Sequence, residues 1–245
     1  MTRTGRGGRL AGLPWWLLAL LAAALWWLAV HGTEPANQLT LRVLLRGLGV
    51  TVRVTLVSFS LALLLGLVAG LARVSPRRPL RELATLYIEV MRGVPLLVIL
   101  LWIGFGLVPA AIGLVTDWLK AQAAAGQDFL GWGPRLVAAC RRPADCASME
   151  LRGMLGLAIG YGAYVAEIVR AGVEAVPRGQ WEAAASLGLG RGRVLRLVVL
   201  PQALRVALPP LGNDFVALLK DSALISVLAV PDIVQEARPH VARTF

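Results

Sequence analysis

Long apolar runs with hardly a charge inside them dominate this chain. A run of about 20 such residues has one economical fate, a helix across a bilayer. Five runs qualify: Leu13–Val30, about Val54–Ala72, about Leu83–Val108, about Leu151–Val173 and about Ala203–Leu219. The second has no charge inside it. The third holds Glu89 and Arg92, the fourth Glu167 and Arg170, and the fifth is interrupted by Pro209-Pro210 and Asp214. Leu224–Val230 is too short to span and reads as a re-entrant or interfacial piece. Over 245 residues, apolar types (AVILMFWYC) make up 57% and charged types only 16%, too few charges to cover a soluble surface. Disorder, coiled coil and an ordinary soluble enzyme are excluded. The expected class is an all-α polytopic membrane protein.

The basic start MTRTGRGGRLAG before the first run resembles a signal peptide. That run is longer than a usual signal core, and Trp15-Trp16 and Trp26-Trp27 lie near its two ends like an interfacial belt, so a retained helix is expected.

The net charge of +11 comes almost wholly from Arg set between the apolar runs, which points to membrane topology. No basic stripe with interleaved aromatics occurs, so nucleic acid is not an expected partner; the lipid bilayer is. With Arg3, Arg6 and Arg9 inside, the first helix exits, and Gln38–Arg53 would lie as an amphipathic segment along the outer face. The second helix returns to a basic inside loop, Arg73–Arg81. The third exits to a long polar loop, Ala110–Glu150, and the fourth returns to Pro177–Leu200 with Arg178, Arg191, Arg193 and Arg196 inside. Arg135, Arg141, Arg142 and Arg152 fall on the wrong side, which a long loop tolerates. Cys140 and Cys146 would then lie outside, where they could bridge across an Arg-Arg-Pro turn or remain two unpaired thiols. Their spacing and the presence of only His31 and His240 give no metal site. No phosphate loop, nucleophile elbow or His-Glu-x-x-His occurs, so neither a catalytic residue nor a cofactor is expected.

The most informative segment is residues 177–201, PRGQWEAAASLGLGRGRVLRLVVLP. Pro177 and Gly179 break the preceding helix. Gln180–Leu187 is rich in helix formers, Gly188 and Gly190 give a tight turn, and Val194–Leu200 rises back toward the membrane. This is a cytoplasmic helix–turn–helix, with small Ala faces for close approach and Glu182 offering a carboxylate to a basic partner.

Glu182-Ala183-Ala184, then Gly188, then Val198-Val199-Leu200-Pro201 matches throughout the spacing of the EAA motif. The chain here resembles the integral permease subunits of binding-protein-dependent ABC importers. Tyr161–Ala184, Met91–Leu97 and Leu200–Leu224 resemble the polar amino acid branch, the histidine/glutamine permease-like members, and the likeness covers about Leu48–Asp232 outside much of the long loop. The resemblance implies a type I ABC importer transmembrane-domain fold, with about five spanning helices and a cytoplasmic coupling helix. It also implies half of a two-subunit pore, completed by a second permease as a homo- or heterodimer. Two ATPase subunits would sit below and a solute-binding protein above, in the cell inner membrane. By that resemblance Glu182, Ala183, Ala184 and Gly188 map to the ATPase contact. Residues 1–47 form an N-terminal arm and residues 48–245 the transport domain. Family members usually carry one more spanning helix after Ala229–Arg238, where this sequence has QEARPHVARTF and no apolar run; the alternative reading is therefore a truncated or non-transporting membrane adaptor that still docks an ATPase.

Ionisable residues inside a membrane are costly. Glu89 with Arg92, and Glu167 with Arg170, stand three apart and are expected to neutralise each other or to bridge to the coupling helices. Asn213 and Asp214, beyond the double proline, are candidate pathway residues, because a transported amino acid needs donors and acceptors together. Gly156, Gly160 and Gly162 are expected to serve close helix packing.

Overall fold

The computed structural model describes residues 14–31, 35–124 and 147–244. The order is α1 (Trp15–His31), α2 (Pro35–Arg73), α3 (Arg78–Gly93), α4 (Leu96–Leu101), a π turn (Trp102–Leu107), α5 (Val108–Ala124), α6 (Met149–Glu174), α7 (Arg178–Ser186), α8 (Arg191–Val194), a second π turn (Leu195–Val199), α9 (Leu200–Asp221), a 3-10 stretch (Ser222–Leu228) and α10 (Ile233–Thr244). No strand occurs among the described residues. Four continuous helical stretches are long and apolar enough to cross a membrane: Asn37–Arg73, Leu96–Gln122, Met149–Glu174 and Arg191–Leu228. α1 is a shorter apolar helix of 17 residues with largely exposed side chains, Trp15 and Trp26 among them. Cys140 and Cys146 lie outside the described residues.

Three boundaries differ from the sequence reading, each for a local reason. The amphipathic segment Gln38–Arg53 is not a separate surface helix. It is the first part of α2, whose 39 residues reach about 58 Å, well beyond a hydrocarbon core of about 30 Å. No proline follows Pro35 in α2 to stop it. The third run is not one helix, because Pro95 disfavours helical backbone at Val94, which is extended at φ −100, ψ 135 and ends α3. Helix resumes at Leu96 and runs through the π turn to Ala124, taking up the first part of the expected polar loop. Lastly, Pro209-Pro210 do not break α9. Proline φ is itself helical, so the pair removes donors for the Arg205 and Val206 carbonyls without unwinding the chain.

α6 is the centre of the bundle, and α2 is its main neighbour. Gly66 and Gly70 on α2 stand four apart, and a side chain there has no room. A Cβ at Gly66 would lie 2.4 Å from Val165 Cγ1, and one at Gly70 would lie 2.6 Å from the Ala166 carbonyl oxygen. α6 answers with its own small residues. A Cβ at Gly156 would strike Leu100, at Gly160 Leu96, and at Gly162 the Tyr87 hydroxyl. These glycines serve close packing, as expected. Tyr87 donates to the Ile159 carbonyl at 2.6 Å, fixing α3 to α6. At the other end, Arg53 forms a two-pronged pair with Glu150 (2.8 and 2.7 Å). There Thr51 Oγ1 also accepts the Ile233 N–H as α10 lies against Gly47. Arg152, on the unexpected side for a cation, is buried and donates to the carbonyls of Ala147 and Gly104, each at 3.0 Å.

The hairpin α7–α8 closes with a left-handed glycine. Gly188 has φ +76, its N–H reaches the Ala185 carbonyl at 2.9 Å, and the Leu189 N–H reaches Ala184 at 3.4 Å, the paired bonds of a Schellman cap. Gly190, expected to share this role, has φ −65 and simply precedes α8.

Two substitution pairs test these features. Gly70→Val should lower the thermal denaturation midpoint of the detergent-extracted protein by a loss of roughly 1–3 kcal/mol or more, whereas Gly113→Ala, with open space around it, should be near neutral. Gly188→Ala should cost about 1–2 kcal/mol and raise amide exchange in residues 184–189, while Gly190→Ala should change little.

Candidate functional site

The hairpin is built where α6 runs out. Val176 is buried, Pro177 turns the chain into extended backbone (φ −55, ψ 138), and α7 starts at Arg178. One face of α7 is apolar and small. Ala184 is only 4% exposed and packs with Val173, Val176, Val194, Val199 and Ala203, and Trp181 lies over the same cluster. Leu71 and Val74, at the end of α2, join it. Both basic loops, Arg73–Arg81 and Pro177–Leu200, therefore meet at one end of the bundle.

The other face is open. Glu182 and Ala183 are exposed, and the Glu182 carboxylate has no partner among the described residues. Leu187, not singled out from sequence, is 82% exposed at the tip beside Gly188. An isolated leucine between Ser186 and Gly188 was the signal for it. Of the four residues expected to touch a partner, Glu182, Ala183 and Gly188 lie outward. Ala184 lies inward, so its small size sets the shape of the hairpin.

Above the hairpin runs a chain of charge. Arg73 donates through Nη1 to Glu167 (2.8 Å) and through Nη2 to Glu89 (3.0 Å). Glu167 also accepts Arg170 at 3.1 Å, and Arg170 pairs with Glu174. The expected pair Glu167–Arg170 forms. The expected pair Glu89–Arg92 does not: Glu89 turns across to Arg73, and Arg92 stands over the Tyr164 ring, 5.7 Å from its centroid.

The second candidate lies about 20 Å farther along α9. Asn213 is exposed, whereas Asp214 is half-buried, with Oδ2 buried and without a hydrogen bond. One turn pair onward on the same face, Asp221 accepts the Tyr161 hydroxyl at 2.7 Å. Phe59 packs edge-on against Phe215 next to Asp214, 5.1 Å between centroids. Sequence reading named Asn213 and Asp214; the Tyr161–Asp221 link needed the α6–α9 contact to become visible. Among the described residues no group of three His, Cys, Asp or Glu could hold a metal.

Comparison with known proteins matches this arrangement. Residues 62–238 match the family described as binding-protein-dependent transport system inner membrane component. The chain is 33% identical to the probable amino-acid ABC transporter permease protein YckA of Bacillus subtilis, over 89% of this chain and 82% of that protein. It is 35% identical to the histidine/lysine/arginine/ornithine transport system permease protein HisQ of Salmonella typhimurium, over 79% and 75%. Among solved structures, it superposes on an amino acid ABC transporter crystallised with histidines at TM-score 0.64 and 33% identity, covering 85% of this chain and 82% of that one. It also shares the fold of a chain of the MetNI methionine ABC transporter (TM-score 0.57, 19% identity, 79% and 78% covered). The chain, a multi-pass membrane protein with an EAA hairpin on one end of its bundle, therefore belongs to the family of binding-protein-dependent inner membrane components, the permease subunits of ABC transporters.

Proposed function

We propose that this permease imports amino acids across the inner membrane, coupled through α7 to separate ATPase subunits that carry out the hydrolysis. The observation that carries the reading is the exposed Glu182, without a partner among the described residues, beside Ala183 and Leu187 on a hairpin that links α6 to α9. An exposed carboxylate on a small-residue face suits a groove lined by Arg or Lys. Ala184 and Gly188 hold that face in shape. The transport unit takes in all of α2, because a boundary between residues 47 and 48 falls inside that helix; its hairpin is at 177–201 and the N-terminus lies on the cytoplasmic side. A second permease subunit completes the pore, and a solute-binding protein delivers substrate at the opposite end.

The amino-acid class draws support from the relatives' names and from the half-buried Asp214 with Asn213 beside it. A carboxylate in the membrane interior, with one oxygen buried and without a hydrogen bond among the described residues, is suited to an ammonium group in transit. ATP-driven closure of the ATPase pair would carry α7 and switch α6 and α9 between two openings.

Mass spectrometry of the gently extracted protein should find an ATPase subunit in near-stoichiometric amount; a stable chain without one would overturn the reading. In vesicles holding that complex, Glu182→Ala should cut uptake of a radiolabelled amino-acid mixture roughly thirtyfold, equivalent to ~2 kcal/mol of lost contact, with hydrolysis continuing. Wild-type uptake by the variant would remove Glu182 from the coupling role. Asp214→Asn should lower uptake roughly tenfold at unchanged complex yield, and unchanged uptake would remove Asp214 from the pathway.

A further inference from the structure

We propose that Arg73 is a positioning residue that ties α3 to the movements of the coupling hairpin, an inference that rests on reading α7 as the ATPase-docking helix. Arg73 closes α2 at a junction of three elements. Its flanking residues Leu71 and Val74 pack into the apolar cluster that holds Ala184 and Trp181 of α7. Its guanidinium faces the other way and splits: Nη1 to Glu167 on α6 at 2.8 Å, Nη2 to Glu89 on α3 at 3.0 Å. Glu167 uses its second oxygen for Arg170, which pairs in turn with Glu174 in the last turn of α6. Glu174 and α7 are separated only by residues 175–177. The result is an alternating series, Glu89–Arg73–Glu167–Arg170–Glu174, from the short helix α3 to the root of the hairpin.

Burial grades this series usefully. Arg73, Glu167 and Arg170 are 20%, 24% and 27% exposed, and Glu89 and Glu174 are 64% and 56% exposed. The inner members are shielded enough to hold geometry, and the outer ones remain free to exchange partners with solvent. A guanidinium can serve two carboxylates on different helices at once because its nitrogens diverge in a fixed plane; an ammonium is a single point. Apolar contact therefore makes the end of α2 follow the hairpin, and the forked guanidinium makes α3 follow α2. Tyr87, two residues before Glu89, holds α3 to the middle of α6, so this one stretch of α3 is tied both to α6 and, through Arg73, to the end of α2.

The test is hydrogen exchange on the co-purified complex with and without a non-hydrolysable ATP analogue. In wild type, nucleotide should change protection in α7 and α3 together. In Arg73→Gln the α7 change should persist and the α3 change should disappear. Arg73→Lys, which keeps the charge and loses the fork, should retain α7 and lose most of α3. In the same vesicles Arg73→Gln should lower amino-acid uptake per ATP hydrolysed by roughly two- to thirtyfold. An α3 response in Arg73→Gln equal to wild type overturns the proposal, as does a wild-type α3 that stays silent while α7 responds. If α7 itself ignores nucleotide in wild type, the docking assignment fails and this inference falls with it. Should Arg73→Gln not assemble, the Arg73→Lys exchange pattern decides alone.

Discussion

The contact between α2 and α6 sets the geometry of everything else. Helices in lipid gain nothing from hiding apolar surface from one another, so their association needs close van der Waals packing. Gly66 and Gly70 provide it by letting the α6 backbone at Ala166 come within the space a methyl group would occupy. With that pair fixed, α3 and α4 find their places against Gly162, Gly160 and Gly156 of α6, and α9 finds its place against Gly172, whose Cβ would lie 2.9 Å from the Ala203 carbonyl.

Polar groups then divide by depth and by end. At the end away from the hairpin, the buried Arg152 is satisfied by backbone carbonyls, one of them Gly104 inside the π turn, where the helical hydrogen-bond ladder is irregular. At the hairpin end the charges are side chain to side chain and partly solvated. The first arrangement fixes one conformation firmly. The second can be remade, which suits the end where a partner would push.

The sequence was most legible where a single physical rule acts on contiguous residues. Apolar length locates the membrane-crossing part of α2 and the spans of α6 and α9, the glycines of α6 mark its close contacts, and the turn residues with the EAA spacing mark the hairpin. Legibility failed where the deciding neighbour is distant in the chain. Spacing on α3 favours Glu89 with Arg92, yet Arg73 is what lies opposite Glu89 in space. Ala184 looked like surface because its motif is a docking motif, yet α6 and α9 enclose it. The break at Val94 is legible from sequence, since Pro95 disfavours helical backbone at the residue before it. Pro209-Pro210 is the opposite case, a pair that suggests a break yet has backbone angles that suit a helix.

The helical run from Arg191 to Leu228 is a rod of 38 residues, about 57 Å long. Pivoted at the hairpin, a tilt of about ten degrees sweeps its far tip through about 10 Å, on the order of a helix diameter. Pro209 and Pro210 stand near the midpoint of that rod and weaken it where two backbone bonds are missing. The two halves of the rod are held by separate contacts: a lower arm with Ala203 and Ala207 against Gly172 of α6, and an upper arm with Leu218 and Asp221 against Ala62 of α2 and Tyr161 of α6, so each half has its own grip on the bundle.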